Sequence, residues 1–204
     1  MSEEEQIQKV NDYDKMLEDI KKADAQARFE KSGVPIKFFN SSFSSFQVNG
    51  EEAFAYDLSK QFAENPENKV LIFCGNNGTG KTHLACAVIR NYGGEYITSS
   101  MLALKYESAV GYKADMTREE IILHYSRCKM LVIDECCKYF LNSELEKFLL
   151  IQIVCNRYEN NLPTILISNA KKNDLVAFMG KAVFDRLCDV CTAIEFDWQS
   201  RRRK

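Results

Sequence analysis

The segment GNNGTGKT at residues 75–82 constrains the fold of this chain more than any other part of its sequence. The apolar run KVLIFC at 69–74 precedes it and predicts a buried strand, and KTHLACAVIRNY at 81–92 predicts a helix. Backbone N–H groups of such a loop converge at the N-terminus of the helix, where they bind phosphate. The sequence therefore predicts a phosphate-binding loop within an α/β fold.

The loop matches the full pattern Gly75-x-x-x-x-Gly80-Lys81-Thr82. Glycines allow the sharp turn that points successive N–H groups inward at the phosphates. We expect Lys81 to reach the β- and γ-phosphates and the Thr82 hydroxyl to ligate Mg²⁺. The residues expected to hold the nucleotide are Gly75, Asn76, Asn77, Gly78, Thr79, Gly80, Lys81 and Thr82.

The remainder of the chain alternates helical patterns with short apolar runs. Near-continuous apolar strands separated by helices predict a parallel five-stranded sheet sandwiched by helices. Two capping boxes, Thr117-x-x-Glu120 and Ser143-x-x-Glu146, are expected to open helices. Helices are predicted at 51–63, 81–92, 99–108, after Thr117 and from Ser143 to about Arg157, and strands at 69–74, 95–98, 129–135, 164–169 and 191–197, the last preceded by two short helices.

The N-terminal part of the chain is less apolar. Residues 3–31 have helical spacing with a narrow apolar stripe, so we expect a helix that docks on the body of the protein or on a partner. Pro35 ends this helix. The segment IKFFNSSFSSF, residues 36–46, is predicted to be irregular and attached to the core by its phenylalanines. The expected domains are a helical partner-binding segment at 1–31 and a core at 32–204 that carries the phosphate loop.

Composition excludes other classes of protein. The acidic start MSEEEQIQ lacks a secretory signal and the longest apolar runs are too short to span a bilayer, so a cytoplasmic protein with no membrane partner is expected. A net charge of −2 does not indicate nucleic-acid binding, although the chain ends in RRRK.

The eight cysteines are expected to be buried small hydrophobes. Cys188-x-x-Cys191 has zinc or redox spacing but lacks further ligands.

Polar residues at the ends of two predicted strands are expected to complete a hydrolytic site. Asp134 and Glu135 lie at the carboxyl edge, where open α/β sheets bind ligands. We expect Asp134 to hold the Mg²⁺ shell and Glu135 to polarise the attacking water; the alternative is a solvated acid pair. Asn169 ends the strand TILISN and is expected to orient that water or to sense the γ-phosphate.

Arg186, in the segment FDRL, is the candidate arginine finger. Its guanidinium cannot be titrated away, and its fork matches a phosphoryl transition state. The alternative is an ordinary arginine on a helix surface. We expect Arg186 to be a catalytic residue that acts at the γ-phosphate, together with Lys81, Glu135 and Asn169.

The arrangement of motifs indicates the class of NTPase. An intervening strand between the phosphate-loop strand and the Asp134–Glu135 strand, with Glu directly after Asp, indicates the additional-strand class that hydrolyses ATP to drive rearrangement. The sequence DECC at 134–137 lacks the glycine of a GTPase D-x-x-G loop. No substrate pocket or lid of a small-molecule kinase is recognisable in the sequence.

These motifs together resemble the AAA+ ATPases of the DnaC helicase-loader and IstB transposition-helper group, over roughly residues 27–200. ARFEKSGVPIKFFNSSFSSF resembles the start of that group's core, and GNNGTGKTHLA, with His83 after the threonine, resembles its phosphate loop. LVIDE, ISN and MGKAVFDRL are similar to its Walker B, sensor 1 and arginine-finger segments. The ending IEFDWQSRRRK looks like that of DnaC-type loaders.

The resemblance implies a homo-oligomer that binds ATP and Mg²⁺ between subunits, with Arg186 reaching a neighbour's γ-phosphate and His83 in the nucleotide site. It also implies that the region at about 99–127 contacts single-stranded DNA. Two departures are present: Ala182 replaces an earlier arginine, and no room remains after the core for a helical lid domain with its sensor 2 arginine. The residues expected to contact DNA are Lys105, Tyr106, Lys113 and Arg118.

The expected function is that of an ATP-dependent DNA replication protein resembling DnaC. It would load a hexameric replicative helicase onto single-stranded DNA, with ATP hydrolysis as a switch. An IstB-like transposition helper, acting on duplex DNA with a transposase, is the alternative. A third possibility is a nucleotide-gated scaffold with negligible hydrolysis.

Overall fold

A computed structural model describes residues 3–66, 69–111, 114–137 and 143–201. A short 3₁₀ turn at Ile36–Phe38 lies between the first two helices. The helices are α1 (Glu3–Glu30), α2 (Ala53–Glu64), α3 (Lys81–Tyr92), α4 (Ser99–Ser108), α5 (Arg118–Arg127), α6 (Ser143–Glu159), α7 (Lys172–Met179) and α8 (Lys181–Leu187). The strands are β1 (Val70–Gly75), β2 (Glu95–Thr98), β3 (Leu131–Cys136), β4 (Thr164–Ser168) and β5 (Cys191–Phe196).

The five strands form one parallel sheet in the order β2-β3-β4-β1-β5, which confirms the predicted fold class. The strand that lies between β1 and β3 is β4, whereas β2, which separates them along the chain, is at the edge. The carboxyl ends of β1, β4 and β3 are therefore neighbours. The phosphate loop, Asn169 and the Asp134–Glu135 pair follow or end these three strands.

Both faces of the sheet are buried, as the apolar strands require. In β1, Leu71 and Phe73 face a core built with α1, α2 and α3. Val70 and Ile72 face the opposite core, built with α4 to α8. This double cover holds the carboxyl edge of the sheet rigid, which is where the polar residues collect.

Most predicted elements occur within two residues of their expected bounds. α3, β2 and α4 have the predicted bounds, and the Thr117 capping box is present: the Glu120 amide donates to the Thr117 hydroxyl (3.2 Å) and the Thr117 amide to the Glu120 carboxylate (2.7 Å). The predicted cap at Ser143 depends on a side chain outside the described set.

β3 begins at Leu131, two residues later than the predicted strand at 129–135. The turn before it is held by the fully buried Arg157 of α6, whose guanidinium donates to the carbonyls of Tyr125 (2.8 Å) and Cys128 (2.9 Å). These bonds hold the end of α5 and the turn after it, and the Met130 carbonyl directly before β3 accepts a hydrogen bond from the Glu95 amide of β2 (2.8 Å).

The Phe-rich segment, residues 36–46, is irregular and attached to the core by its aromatic rings, as predicted. Phe46 is buried, and the three other rings pack against the same core. The carbonyls of Phe39 and Ser41 accept hydrogen bonds from the guanidinium of Arg90 on α3. An arginine therefore supplies the donors that a neighbouring strand would otherwise give.

α1 is packed at its C-terminal end. Phe29 is buried under the Arg90 guanidinium, 4.0 Å from its ring centroid, and Gln26 accepts a hydrogen bond from the same group (2.8 Å). Toward the N-terminus, Tyr13, Met16 and Ile20 are 61%, 60% and 47% exposed. The helix thus presents apolar side chains to solvent at the end away from its anchor.

The prediction for the cysteines holds for some of them. Cys74, Cys86 and Cys136 are buried, but Cys188 is exposed at the end of α8, where a turn rather than the core follows. None of the eight forms a disulfide, and the described residues contain no group of three or more side chains suited to a metal ion.

The segment after β5 folds back onto the phosphate loop, and the described part of the chain, which extends to residue 201, contains no helical lid domain. Among the helices of that part, none is long and apolar enough to cross a membrane.

Candidate functional site

The phosphate loop connects β1 to α3 through backbone that only glycine adopts comfortably. Gly75 and Gly80 have φ of 108° and 106°. A Cβ at Gly75 would lie 2.7 Å from the Phe196 carbonyl oxygen, and one at Gly80 would lie 2.6 Å from the Phe46 ring. The loop is therefore confined by the end of β5 on one side and by the Phe-rich segment on the other.

Lys81 is buried within this loop, with 5% of its surface exposed. Its ammonium donates to the carbonyl oxygens of Gly75 (2.8 Å) and Asn76 (2.6 Å), while the Thr79 hydroxyl donates to the Asn76 carbonyl (2.8 Å). These contacts place the charge at the centre of the loop, in position to exchange loop carbonyls for phosphate oxygens.

Asp134 lies beside Thr82 at the end of β3. Its carboxylate accepts hydrogen bonds from the Thr82 hydroxyl and the Tyr96 hydroxyl, both at 2.8 Å, and from the Glu135 amide at 2.6 Å. Burial raises the pKa of this carboxyl, while the three hydrogen bonds oppose that shift. A buried carboxylate next to a hydroxyl is a set of hard oxygen donors, which fits Mg²⁺.

Glu135 follows directly and is held in unusual backbone geometry. Its φ is 61°, in the left-handed region, and the register between β3 and β4 shifts between Ile133 and Cys136. Strain of this kind is concentrated at functional sites. The Ser99 hydroxyl donates to the Glu135 carbonyl (3.2 Å) and helps hold the turn.

One cavity of about 570 Å³ unites most of the predicted residues. Asn169, exposed just after β4, lines it together with residues of the phosphate loop. The predicted residues in its wall are Asn77, Gly78, Thr79, Gly80, Lys81, Thr82, His83, Asp134, Glu135 and Asn169.

His83 is oriented by the Phe-rich segment. Its Nε2 lies 3.1 Å from the Ser42 carbonyl oxygen and 3.2 Å from the Ser45 hydroxyl, and its ring packs edge-on against Phe46. Burial lowers the pKa of His83, so the ring is neutral at neutral pH. The residue therefore shapes the wall of the cavity without adding charge.

Arg186 does not line this cavity. It is exposed on α8 and lies against Cys155 of α6; burial raises the pKa of that thiol, and the neighbouring guanidinium opposes the shift. Within one chain, the structure thus separates the candidate arginine finger from the phosphate loop.

Three of the four residues expected to contact DNA, Lys105, Tyr106 and Arg118, lie on α4 and α5. Lys105 donates to the Tyr125 hydroxyl (3.1 Å), and Arg118 donates to the Tyr106 carbonyl (3.1 Å) and lies 5.0 Å from the centroid of that ring. Lys113 lies outside the described residues. Cations placed on aromatic rings form the kind of surface on which bases stack.

Several residues that build the site were not among the predicted site residues. Trp198 donates from its indole to the Thr79 carbonyl (3.0 Å), and Arg201 donates from its amide to the Gly78 carbonyl (2.8 Å). Tyr96 supports Asp134 from the neighbouring strand β2. The motif at the C-terminus was recognisable, but its contact with the phosphate loop was not.

The fold and the cavity define a P-loop NTPase of the additional-strand, AAA+ type, with the phosphate loop after β1, an Asp-Glu pair ending β3 and a polar residue after the strand between them. The sequence model of the family described as IstB-like ATP binding protein matches residues 1–204. The chain belongs to this family, and its membership supports ATP as the nucleotide.

Two curated relatives and one solved structure are similar to this chain. The chain is 28% identical over 187 residues to the replicative helicase loader DnaC of Escherichia coli strain K12, covering 88% of this chain and 76% of that protein. It is 30% identical over 184 residues to DnaC of Buchnera aphidicola subsp. Baizongia pistaciae (strain Bp), covering 85% and 74%. A crystal structure of the DnaC helicase loader matches with a TM-score of 0.68 at 21% identity, over 79% of this chain and 99% of that chain.

These findings confirm the predicted membership of the DnaC/IstB-type group of AAA+ ATPases, with DnaC-type loaders among its similar relatives. The relatives support a DnaC-like role in DNA replication. The solved structure supports the fold.

Proposed function

We propose that this protein is an ATPase that loads a hexameric replicative helicase onto single-stranded DNA, with ATP hydrolysis as the switch. The observation that carries this proposal is the convergence of Lys81, Thr82, Asp134, Glu135 and Asn169 on one cavity, in a chain whose relatives are helicase loaders.

Nucleotide binding begins with the loop. Its inward N–H groups and the N-terminus of α3 attract the phosphates. The Lys81 ammonium exchanges the carbonyls of Gly75 and Asn76 for β- and γ-phosphate oxygens. Thr82 and Asp134 would hold Mg²⁺, which neutralises charge on the phosphates when bound. Tyr96 keeps the Asp134 carboxylate turned toward Thr82.

Hydrolysis requires a base and a group that orients water. Glu135 lines the cavity from the end of β3 and is proposed to take a proton from the attacking water. Asn169, which lines the same cavity just after β4, is proposed to orient that water through its carboxamide. The left-handed backbone at Glu135 aims its side chain away from the straight path of the strand.

We further propose that the site is shared between subunits of a homo-oligomer. The exposure of Arg186 and its absence from its own chain's cavity support a role on a neighbour's γ-phosphate. Lys105, Tyr106 and Arg118 are proposed to contact single-stranded DNA, because both cations are exposed and each lies beside an aromatic ring, Lys105 beside Tyr125 and Arg118 beside Tyr106.

The proposed domains are a helicase-binding segment at 1–31 and the ATPase core at 32–204. Tyr13, Met16 and Ile20 recur at helical spacing and are exposed, whereas the other end of α1 is anchored at Phe29. An exposed apolar face on an anchored helix fits docking into a groove of a protein partner.

Substituting this face tests the docking. Met16→Ser combined with Ile20→Ser is expected to weaken retention of the replicative helicase from the same genome by about tenfold or more, because apolar anchors are lost. A pull-down of the purified helicase at graded concentrations measures this. Lys21→Ser, an exposed polar change on the same helix, is the control. Equal retention by the double variant would contradict the assignment of α1.

An IstB-like transposition helper is the second candidate, because the family model that matches residues 1–204 is described as IstB-like ATP binding protein. This function predicts assembly on duplex DNA that depends on its length, and binding to a transposase rather than to a helicase. Gel-shift titration against duplexes of graded length separates it from the loader.

A further inference from the structure

Arg201 occupies a position in the cavity that the predicted site did not include. Its amide is bonded to the Gly78 carbonyl of the phosphate loop (2.8 Å), and its guanidinium lies 4.0 Å from the centroid of the Phe46 ring. The same side chain lines the cavity together with Lys81 and Thr82. A cation from the C-terminal segment is therefore placed at the wall of the phosphate site.

The guanidinium is held by the chain that leads into α2. One terminal nitrogen donates to the Glu52 carboxylate at 3.0 Å and also to the Gln47 carbonyl. Burial raises the pKa of the Glu52 carboxyl, but hydrogen bonds from its own amide, Arg201 and the Asn49 amide outweigh burial and hold that pKa below its usual value. Glu52 is thus an ionised partner for Arg201.

One part of this contact is incomplete. Among the described residues, Arg201 Nε is the buried side-chain nitrogen or oxygen that has no hydrogen-bond partner. Buried donors are almost always paired, so the present arrangement leaves a donor of Arg201 unused, and a shift of the guanidinium toward a ligand acceptor in the cavity would satisfy it. The guanidinium has further donors that a phosphate or ribose oxygen matches well.

We propose that Arg201 is a nucleotide-contacting residue for which Glu52 competes: on binding, its guanidinium exchanges the Glu52 carboxylate for an oxygen of the nucleotide. The start of α2 is then released from the C-terminal segment, so occupancy of the cavity is transmitted to the N-terminal side of the core. This inference rests on the proposed binding of ATP.

A purely structural role for Arg201 makes a different prediction. If the guanidinium only fastens the C-terminal segment to the chain before α2, then removing either partner of the pair has the same effect. If Glu52 competes with the nucleotide, the two removals change affinity in opposite directions. The sign of the Glu52 effect therefore decides between them.

The experiment titrates fluorescently labelled ATP into the full chain and three variants. Arg201→Met, which keeps an apolar stem over Phe46, is expected to raise Kd by about tenfold or more through loss of charged hydrogen bonds. Glu52→Gln, which keeps the acceptor for the Asn49 amide, is expected to lower Kd by about two- to fivefold. Arg127→Ala, an exposed arginine on α5, is the control.

The outcomes separate this inference from the proposed function. Unchanged affinity in Arg201→Met, or weakened affinity in Glu52→Gln, overturns the role of Arg201. If Arg201→Met does not fold, the Glu52→Gln titration decides alone by its sign. Lys81→Ala is included because its failure to bind ATP tests the phosphate loop itself; wild-type affinity in that variant, or no binding by the wild type, overturns both proposals.

Discussion

Replacing Glu135 with Gln is expected to lower the ATPase rate by about 10²- to 10⁴-fold while ATP binding is retained. The carboxamide has nearly the same shape as the carboxylate, so it fits the same wall of the cavity. It cannot accept the proton of the attacking water. The rest of the binding site, including Lys81 and Asp134, is unchanged by this substitution.

Steady-state phosphate release and equilibrium binding of labelled ATP measure the two quantities separately. Glu119→Gln, an exposed acid in the first turn of α5, is the matched control and should leave both unchanged. A Glu135→Gln variant that turns over ATP at the wild-type rate would contradict the base assignment and favour a nucleotide-gated scaffold.

Replacing Arg186 with Ala is expected to lower turnover by about 10³-fold or more, as loss of an arginine finger does. The side chain lies outside its own cavity, so its action requires a neighbouring subunit. Mixing Arg186→Ala with Lys81→Ala subunits is therefore expected to recover part of the activity. Some interfaces in the mixture pair an intact phosphate loop with an intact arginine.

The mixing is measured as ATPase rate against the ratio of the two variants, with assembly verified by light scattering. Lys181→Ala, exposed at the start of the same helix, is the control for the surface of α8. If a demonstrated oligomer of the two variants shows no recovery at any ratio, Arg186 does not act between subunits.

The parts of the fold that depend on local sequence could be predicted. The phosphate loop with its flanking strand and helix, and the Thr117 capping box, are encoded in stretches shorter than twenty-five residues, where spacing and glycine placement are sufficient signals. The class of protein implied a parallel five-stranded sheet with a strand between the phosphate-loop strand and the Asp134–Glu135 strand, and β4 lies there. Asp134, Glu135 and Asn169 could be placed at one edge because strand ends in a parallel sheet lie together.

The contacts that complete the site connect parts of the chain that no local pattern links. The Trp198 indole bonds to Thr79 across 119 positions, and Arg201 pairs with Glu52 across 149. Tyr96 donates to Asp134 from β2, the strand at the edge of the sheet, and no local sequence pattern links the two residues. A terminal arginine is usually solvated, so its position in the cavity was evident only from the folded chain.

The start of β3, two residues later than predicted, also lies beside a contact between distant parts of the chain. The run KMLVIDE is apolar from its second residue, and periodicity predicts a strand along its whole length. Arg157, twenty-six residues beyond Leu131, holds the carbonyls of Tyr125 and Cys128 just before the strand begins. The interaction of Arg157 with these carbonyls is a tertiary contact, and local strand propensity carries no information about it.

The measurement that tests the central claim most directly is the loading of the replicative helicase onto closed circular single-stranded DNA, followed by gel filtration of helicase–DNA complexes. With the wild-type chain and ATP, complexes are expected to form and to support strand unwinding after the nucleotide is hydrolysed. Lys81→Ala is expected to form few. Two results together would contradict the loader and favour the transposition helper. The first is an equal amount of helicase–DNA complex with and without this protein, and the second is assembly of this protein on duplex DNA that depends on the length of the duplex.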